Sequence, residues 1–452
     1  MHNALGLSGW TVNEIRDTEI LREYHATCDS QPAACPKCGV VAHLYRHGNK
    51  TVRYVDAPSW GKQSLLVAKV QRYRCRSCDA TFMQRLPDVD DSRQMTKRCM
   101  AYIEQQGVPQ TFAALSRHIG VDEKTVRTIC NSKFERQMSE LKLEAPTILG
   151  IDELTLLKRK RTIFVDIGAR RVIDIIESMD RRRVERWMWQ LPKRENIKVV
   201  AIDMWGPYAN AVRLLLPGAK VVVDKWHVLS KLNMALDRVR NRVRRGSKNP
   251  RRNPRQGKLL LQTSRHRLSP MRRMLVDAML ANNALLDAAW QAKETFYDVF
   301  DAKSRAEAEA LYDLWVKRLP ASIAPEFGPI VNMVDNWRGP IFTFFDYPVT
   351  NAVTEGKNGI IKKLNRAGNG YSFDTIRAKA LMAEPLGKTA QCCTCKGHFP
   401  VASMRHHKLP VPSIGEDFHY DLCQSCDFTI FHTEHKAKFD EGIKWLYTQL
   451  SG

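Results

Sequence analysis

"KVVAIDMWGPYANAV", residues 198–212, decides how this chain is read. Val199, Val200, Ala201 and Ile202 form an unbroken apolar run, as in a strand buried on both faces. Asp203 follows at once, then a Trp-Gly-Pro turn and a stretch with helical spacing. In open α/β sheets the strand ends are where ligands gather, so a carboxylate there points to a site.

The flanking segments repeat the theme. "TILGIDE" (147–153) is an apolar run closed by Asp152. "TIFVDIG" (162–168) and "RVIDIIES" (171–178) read as two further strands, "RVERWMWQLP" (183–192) as a helix, and "YANAVRLLLPG" (208–218) as a helix stopped by Pro217 and Gly218. "AKVVVDKWHVL" (219–229) is a strand closed by Asp224, then a helix. Three antiparallel strands followed by alternating helix and strand predict an α/β domain with a mixed sheet.

From Val228 to Asp335 no strand pattern occurs. Residues 238–273 are rich in Arg and Lys and hold no acid, and "VRRGSKNPRRNPRQGK" (243–258) reads as a basic loop. It offers Arg244, Arg245, Arg251 and Arg252 to a polyanion. The remainder of this span is helical by period. A last helix begins near Thr354 and ends at Gly368 and Gly370.

Asp152 and Asp203 emerge at one sheet edge if their strands are neighbours. Two such anions repel and are costly to desolvate without a cation. Oxygen donors select Mg²⁺ or Mn²⁺, and Glu355 is the best-placed third carboxylate. Glu355, Asn358 and Lys362 share a helix face, with Lys363 and Arg366 extending its basic side. Glu153 competes with Asp152. Asp224 and His227 are expected to support the site by orienting ligands or touching substrate.

The net charge of +23 points to nucleic acid as partner. The start of the chain lacks the pattern of a secretion signal, and no apolar run is long enough for a membrane span. An intracellular protein with twelve cysteines favours metal over disulfides. Cys35/Cys38 and Cys75/Cys78 are paired C-x-x-C knuckles around a strand–turn–strand segment, the pattern of a four-sulfur Zn²⁺ ribbon. Cys392/Cys395 and Cys423/Cys426 repeat it near the end of the chain. Between the first ribbon and the sheet, "GVPQTFAALSRHIGVDEKTVRTICNSKFERQ" (107–137) reads as helix, Gly turn, helix, the pattern of a helix-turn-helix. Its second helix exposes Glu123, Lys124 and Arg127, and Lys124 and Arg127 are the candidate DNA contacts.

In this order, the ribbon, the helix-turn-helix, "LGIDE" (149–153), "VVAIDMWGPYANAV" (199–212), "AKVVVDKWHV" (219–228) and "NAVTEGKNGIIKKLNRAGNGYSF" (351–373) resemble a bacterial insertion-sequence transposase of the DDE type, of the ISL-three family, over about residues 10–385. The resemblance implies a ribonuclease-H-like core interrupted by a helical insertion. It implies a triad of Asp152, Asp203 and Glu355, and it matches Asp224 and His227 to the family's Asp-x-x-His signature. It further implies two-metal-ion cleavage at transposon ends, followed by strand transfer into target DNA. Pairing two ends implies a homodimer on double-stranded DNA, in a cytoplasmic, nucleoid-associated protein with no membrane contact. The second ribbon departs from the family's usual pattern.

The expected division is 1–90 for the first ribbon, 91–145 for the helix-turn-helix, 146–228 for the first part of the core, 229–335 for the insertion, 336–386 for the last part of the core and 387–452 for the second ribbon. Two rival readings use the same residues. One is a non-cutting DNA-binding regulator derived from a transposase. The other is a ribonuclease-H-like nuclease without strand transfer.

Overall fold

The computed structural model describes residues 5–41, 43–245 and 254–383, together with the backbone of four short strands beyond them. The first unit is a sheet of β1 (Trp10–Asp17), β2 (Leu21–Cys28), β3 (Leu44–Ser59), β4 (Lys62–Cys75), β5 (Thr81–Met83), β6 (Val89–Asp90) and β7 (Met95–Thr96). Its path is β1-β2-β4-β3-β7-β6, with β5 pairing β4. β3 and β4 form a long antiparallel hairpin whose Trp60-Gly61 tip has positive φ at both residues, the twist that tight hairpins favour.

Three helices follow: α1 (Lys97–Gln106), α2 (Phe112–Ile119) and α3 (Glu123–Glu140). Thr111 caps α2 and Asp122 caps α3, the Asp122 side chain accepting from the Thr125 N–H at 2.8 Å. Gly120 ends α2 at φ +85°, a left-handed conformation that suits glycine. The expected succession of helix, Gly turn and helix is therefore present. Its apolar side, with Phe112, Leu115, Ile129 and Phe134, is continuous with one face of the next sheet.

That sheet comprises β8 (Ile148–Leu156), β9 (Arg159–Asp166), β10 (Arg171–Ile176), β11 (Val199–Ile202) and β12 (Lys220–Val223), in the order β10-β9-β8-β11-β12. β10, β9 and β8 are antiparallel neighbours, whereas β8, β11 and β12 run parallel. Side chains alternate between faces along each strand. Leu149, Ile151 and Phe164 pack with α4 (Arg181–Gln190) and α5 (Gly206–Leu215) on one side. Leu154, Ile163 and Val165 pack on the other with the helix-turn-helix and with residues of two late helices.

After β12 the chain enters α6 (Lys225–Arg245), then α7 (Pro254–Gln262), α8 (Pro270–Ala281), α9 (Ala284–Asp301), α10 (Arg305–Arg318), α11 (Ala324–Asn336) and the short α12 (Arg338–Phe342). They share an aromatic-rich core with Trp290, Phe296, Tyr312, Trp315 and Phe327, which touches the sheet through Val223 of β12. The chain then returns through α13 (Ala352–Ala367) and α14 (Phe373–Met382). Beyond them lie β13 (Thr389–Gln391) paired with β14 (His398–Pro400), and β15 (Met404–Val411) paired with β16 (Glu416–Cys423). The second zinc set, Cys392, Cys395, Cys423 and Cys426, lies outside the residues whose side chains are described, as do Arg251 and Arg252. Among the described residues no helix is long and apolar enough to cross a membrane.

Candidate active site

β11 pairs with β8 in parallel, with Ile202 opposite Ile151, so Asp152 and Asp203 leave adjacent strands at the same edge. Asp152 is 8% exposed. Burial, and then the charge of Asp203, push its carboxyl up to about 7. The edge therefore carries more negative charge than it can hold bare, and a proton or a cation must share it.

Glu355 arrives from α13. Gly150 permits the approach: a Cβ there would collide with Thr354 Oγ1. Gly150 and Asp152 share a strand face, so the helix that crosses the glycine also covers the acid. Asn358, one turn after Thr354, donates Nδ2 to Asp152 Oδ2 at 2.6 Å and faces the Glu153 carbonyl at 3.3 Å. Glu355 itself is raised, first by burial, with Asp224 and Asp203 adding to the rise and His227 opposing it.

His227, in the first turn of α6, joins the two halves of the site. Its Nε2 lies 2.8 Å from Asp203 Oδ1 and 3.3 Å from Glu355 Oε1. Burial disfavours its charge, but the close contact with Asp203 and the surrounding carboxylates outweigh burial and raise its pKa. Asp224 aims elsewhere. Its Oδ1 accepts from the Trp226 N–H at 2.8 Å, capping α6, and its Oδ2 accepts from the Asn351 N–H at 2.6 Å. Asp224 thus ties the start of α6 to the start of α13 and fixes His227 against Glu355.

Asn351, fully buried, was not anticipated. It binds Asp224 through its backbone, and its Nδ2 reaches toward Asp203 Oδ1 at 3.5 Å. The sequence signal was present, since an Asn stands immediately before a helix start, but that pattern ordinarily marks a cap. Glu153 pairs with Lys160 at 3.1 Å instead of joining the acids.

The donor chemistry fits a divalent cation. The carboxylates of Asp152, Asp203 and Glu355 are hard oxygen donors on three elements. Asn351 Oδ1, Thr354 Oγ1 and Asn358 Oδ1 are buried around them without a hydrogen-bond partner. Buried acceptors of this kind need a donor such as water ordered by an ion.

The basic candidates are dispersed. Lys362, Lys363 and Arg366 are exposed on the outer side of α13, and Lys124 is exposed on α3. Arg127 is engaged within the fold: it pairs with Glu123 at 2.7 Å, donates to the Gly370 carbonyl at 3.1 Å and lies over the rings of Phe112 and Tyr371. Arg244 and Arg245 end α6, about 27 Å along the helix axis from His227 at 1.5 Å per residue.

The ribbon forms a second centre. The sulfurs of Cys35, Cys38, Cys75 and Cys78 all lie within 4.8 Å of one another, with Cys35–Cys78 and Cys38–Cys75 each at 3.7 Å. A tetrahedral ion with bonds of about 2.3 Å needs sulfurs about 3.8 Å apart. The two knuckles are alike: Gly39 N–H donates to the Cys35 carbonyl and Asp79 N–H to that of Cys75, each at 2.9 Å. The Cys38 backbone N–H is the main influence that lowers the Cys35 thiol to about 6, favouring the thiolate that zinc requires.

Comparison with known proteins gives matches over the segments that carry both centres. Residues 149–380 match the ISL3-type DDE transposase family. Residues 31–78 match the zinc finger of the transposases of IS204, IS1001, IS1096 and IS1165. The chain is 25% identical over 347 residues to the transposase for insertion sequence element IS1001 of Bordetella parapertussis, covering 75% of this chain and 85% of that protein.

Proposed function

The chain belongs to the ISL3 transposase family, and from that premise we propose that it binds the terminal inverted repeats of an insertion sequence, cleaves DNA there and transfers the strand to target DNA. The observation that carries this reading is the convergence of Asp152, Asp203 and Glu355 on one sheet edge, with His227 between the last two. The strand order β10-β9-β8-β11-β12 supports a ribonuclease-H-like core, and the helices between residues 229 and 335 would form the insertion before the last acid.

Asp152, Asp203 and Glu355 would hold Mg²⁺ or Mn²⁺. When bound, such ions supply a water nucleophile at neutral pH and stabilise the leaving oxygen of an in-line displacement. The chain's own residues prepare that site. Asn358 fixes the Asp152 carboxylate, Asn351 and Asp224 fix the start of α13, and His227 stands between Asp203 and Glu355 and offsets their charge. Zn²⁺ in the ribbon is structural, since four sulfurs leave no open position.

The ribbon and helix-turn-helix would hold the end DNA, with Lys124 facing solvent on α3. Lys363, Arg366, Arg244 and Arg245, with Arg251 and Arg252, would contact phosphates. Two ends brought together make a homodimer on double-stranded DNA the working assembly. The division at residues 90, 145, 228, 335 and 386 and the cytoplasmic, nucleoid-associated location belong to the same proposal.

Asp203→Asn tests it on duplexes carrying the element's ends. The variant is expected to bind the ends as the parent does and to lose Mg²⁺-dependent cleavage. Normal cleavage by the variant would overturn the assignment. A wild-type protein that binds but never nicks would favour the regulator, and cleavage without joined products would favour the nuclease.

A further inference from the structure

Beside the acidic edge lies a groove of about 640 Å³ between α6, α7 and α9, within the roughly 300–1,000 Å³ of clefts that enclose small ligands. The mechanism proposed above does not use it. Its mouth is marked by Trp226, 59% exposed although it adjoins the half-buried His227. The Trp226 and His227 rings meet edge to face, 5.2 Å apart at 90°, so the indole that lines the groove is in direct contact with the histidine of the acidic site. Tyr297 lines the far wall, its hydroxyl held by Asn233 at 3.0 Å. Lys258 and Arg267 are exposed at the rim, and Asp301 is the single acid in the lining.

An exposed indole beside the histidine of the acidic site needs a reason, because no described residue covers it. Aromatic faces flanked by cations are the usual means of holding unpaired nucleotides: the ring stacks on a base and the cations follow the phosphates. A paired base hides its face in the duplex, so only an extruded or single-stranded nucleotide fits such a platform. We propose that this groove holds an unpaired nucleotide of the DNA strand next to the cleaved phosphate, its base stacked on Trp226. Trp226 is thereby a positioning residue: it places the strand, and the acids act on it.

The inference rests on the DNA-cleaving reading of the acidic site, and the test separates the two. Fluorescence anisotropy of the full chain is measured with a short labelled oligo-dT and with an abasic oligonucleotide of the same length, which has the same charge but no bases. Salt is set high enough to weaken phosphate contacts. The wild-type protein is expected to prefer oligo-dT by about tenfold, the scale of one base–aromatic stack. Trp226→Ala should erase that preference, Trp226→Phe should keep most of it, and Arg267→Ala should weaken both ligands equally. Equal preference in the wild type and Trp226→Ala, or no preference in the wild type, would overturn the proposal. If Trp226→Ala erases the preference while the wild type shows no Mg²⁺-dependent nicking, the groove stands and the catalytic reading falls.

Discussion

In the ribbon, four sulfurs already lie within 4.8 Å of one another, at the spacing a tetrahedral ion requires. At the sheet edge the acids come from three separate elements, and a histidine stands between Asp203 and Glu355 at 2.8 and 3.3 Å. Among the described residues, only the sulfurs form such a closed cluster. The difference matches the two tasks. A structural ion is enclosed by a rigid hairpin and its knuckles. The acidic edge, which under the proposed function would admit a phosphodiester and water, is left open, with His227 against Asp203 and Glu355.

The contrast breaks most sharply at the cysteines. In the ribbon, metal binding is folding free energy, on the order of 10 kcal/mol for a structural zinc site. Cys75→Ser is therefore expected to lose one zinc per chain by elemental analysis and to unfold the ribbon, seen as loss of its protection from proteolysis. Retained zinc and protection would put the two centres in the same class. Asn358→Ala should leave the zinc untouched and lower cleavage by roughly 10- to 100-fold, as loss of a ligand's supporting hydrogen bond does. An unchanged rate would show that Asp152 needs no such support. Gly150→Ala should destabilise the core by about 1–3 kcal/mol in urea melts, because α13 must move off β8 to admit the methyl group. No loss of stability would mean that the helix crosses elsewhere.

A smaller effect concerns pH. The Asp152 carboxyl is raised from 3.8 to about 7, so the folded chain binds that proton more tightly than the unfolded chain. In metal-free protein its contribution to stability is greatest below about 4 and declines as pH climbs to about 7. If divalent metal binds the carboxylate as proposed, it should reduce that decline and bind more tightly as pH rises through the same range. Thermal melts across pH, with and without Mg²⁺, check this. A stability that does not fall with pH in metal-free protein would contradict the buried acid pair.

Much of this contrast was legible in the chain. The C-x-x-C spacings are local and announce the first zinc centre, and the apolar runs closed by Asp152, Asp203 and Asp224 are local signals too. The apolar runs mark β8 and β11 as buried strands, but their parallel pairing, which brings two acids together, was a condition that only the fold met. What the sequence left hidden depends on contacts far apart along the chain. His227 was placed in support, yet it touches Asp203 and Glu355 directly, because Asp224 and Asn351 join the starts of α6 and α13. Arg127 was read as a DNA contact, but the fold ties it to Gly370 and two rings. The helix-turn-helix does not stand apart: the Tyr371 hydroxyl accepts from the Phe112 N–H at 2.9 Å, and buried Lys379 donates to the Gln110 carbonyl at 2.8 Å. No periodicity foretells a lysine from one end of the described core closing a loop near the other.

The measurement that bears most directly on the account is Mn²⁺ binding to the zinc-loaded protein, followed by electron paramagnetic resonance of the free ion. Wild-type protein is expected to take up Mn²⁺ at neutral pH, and Asp152→Asn, Asp203→Asn and Glu355→Gln each to lose most of that uptake while keeping their zinc. Uptake that is equal in all four proteins would contradict a shared metal site at the sheet edge.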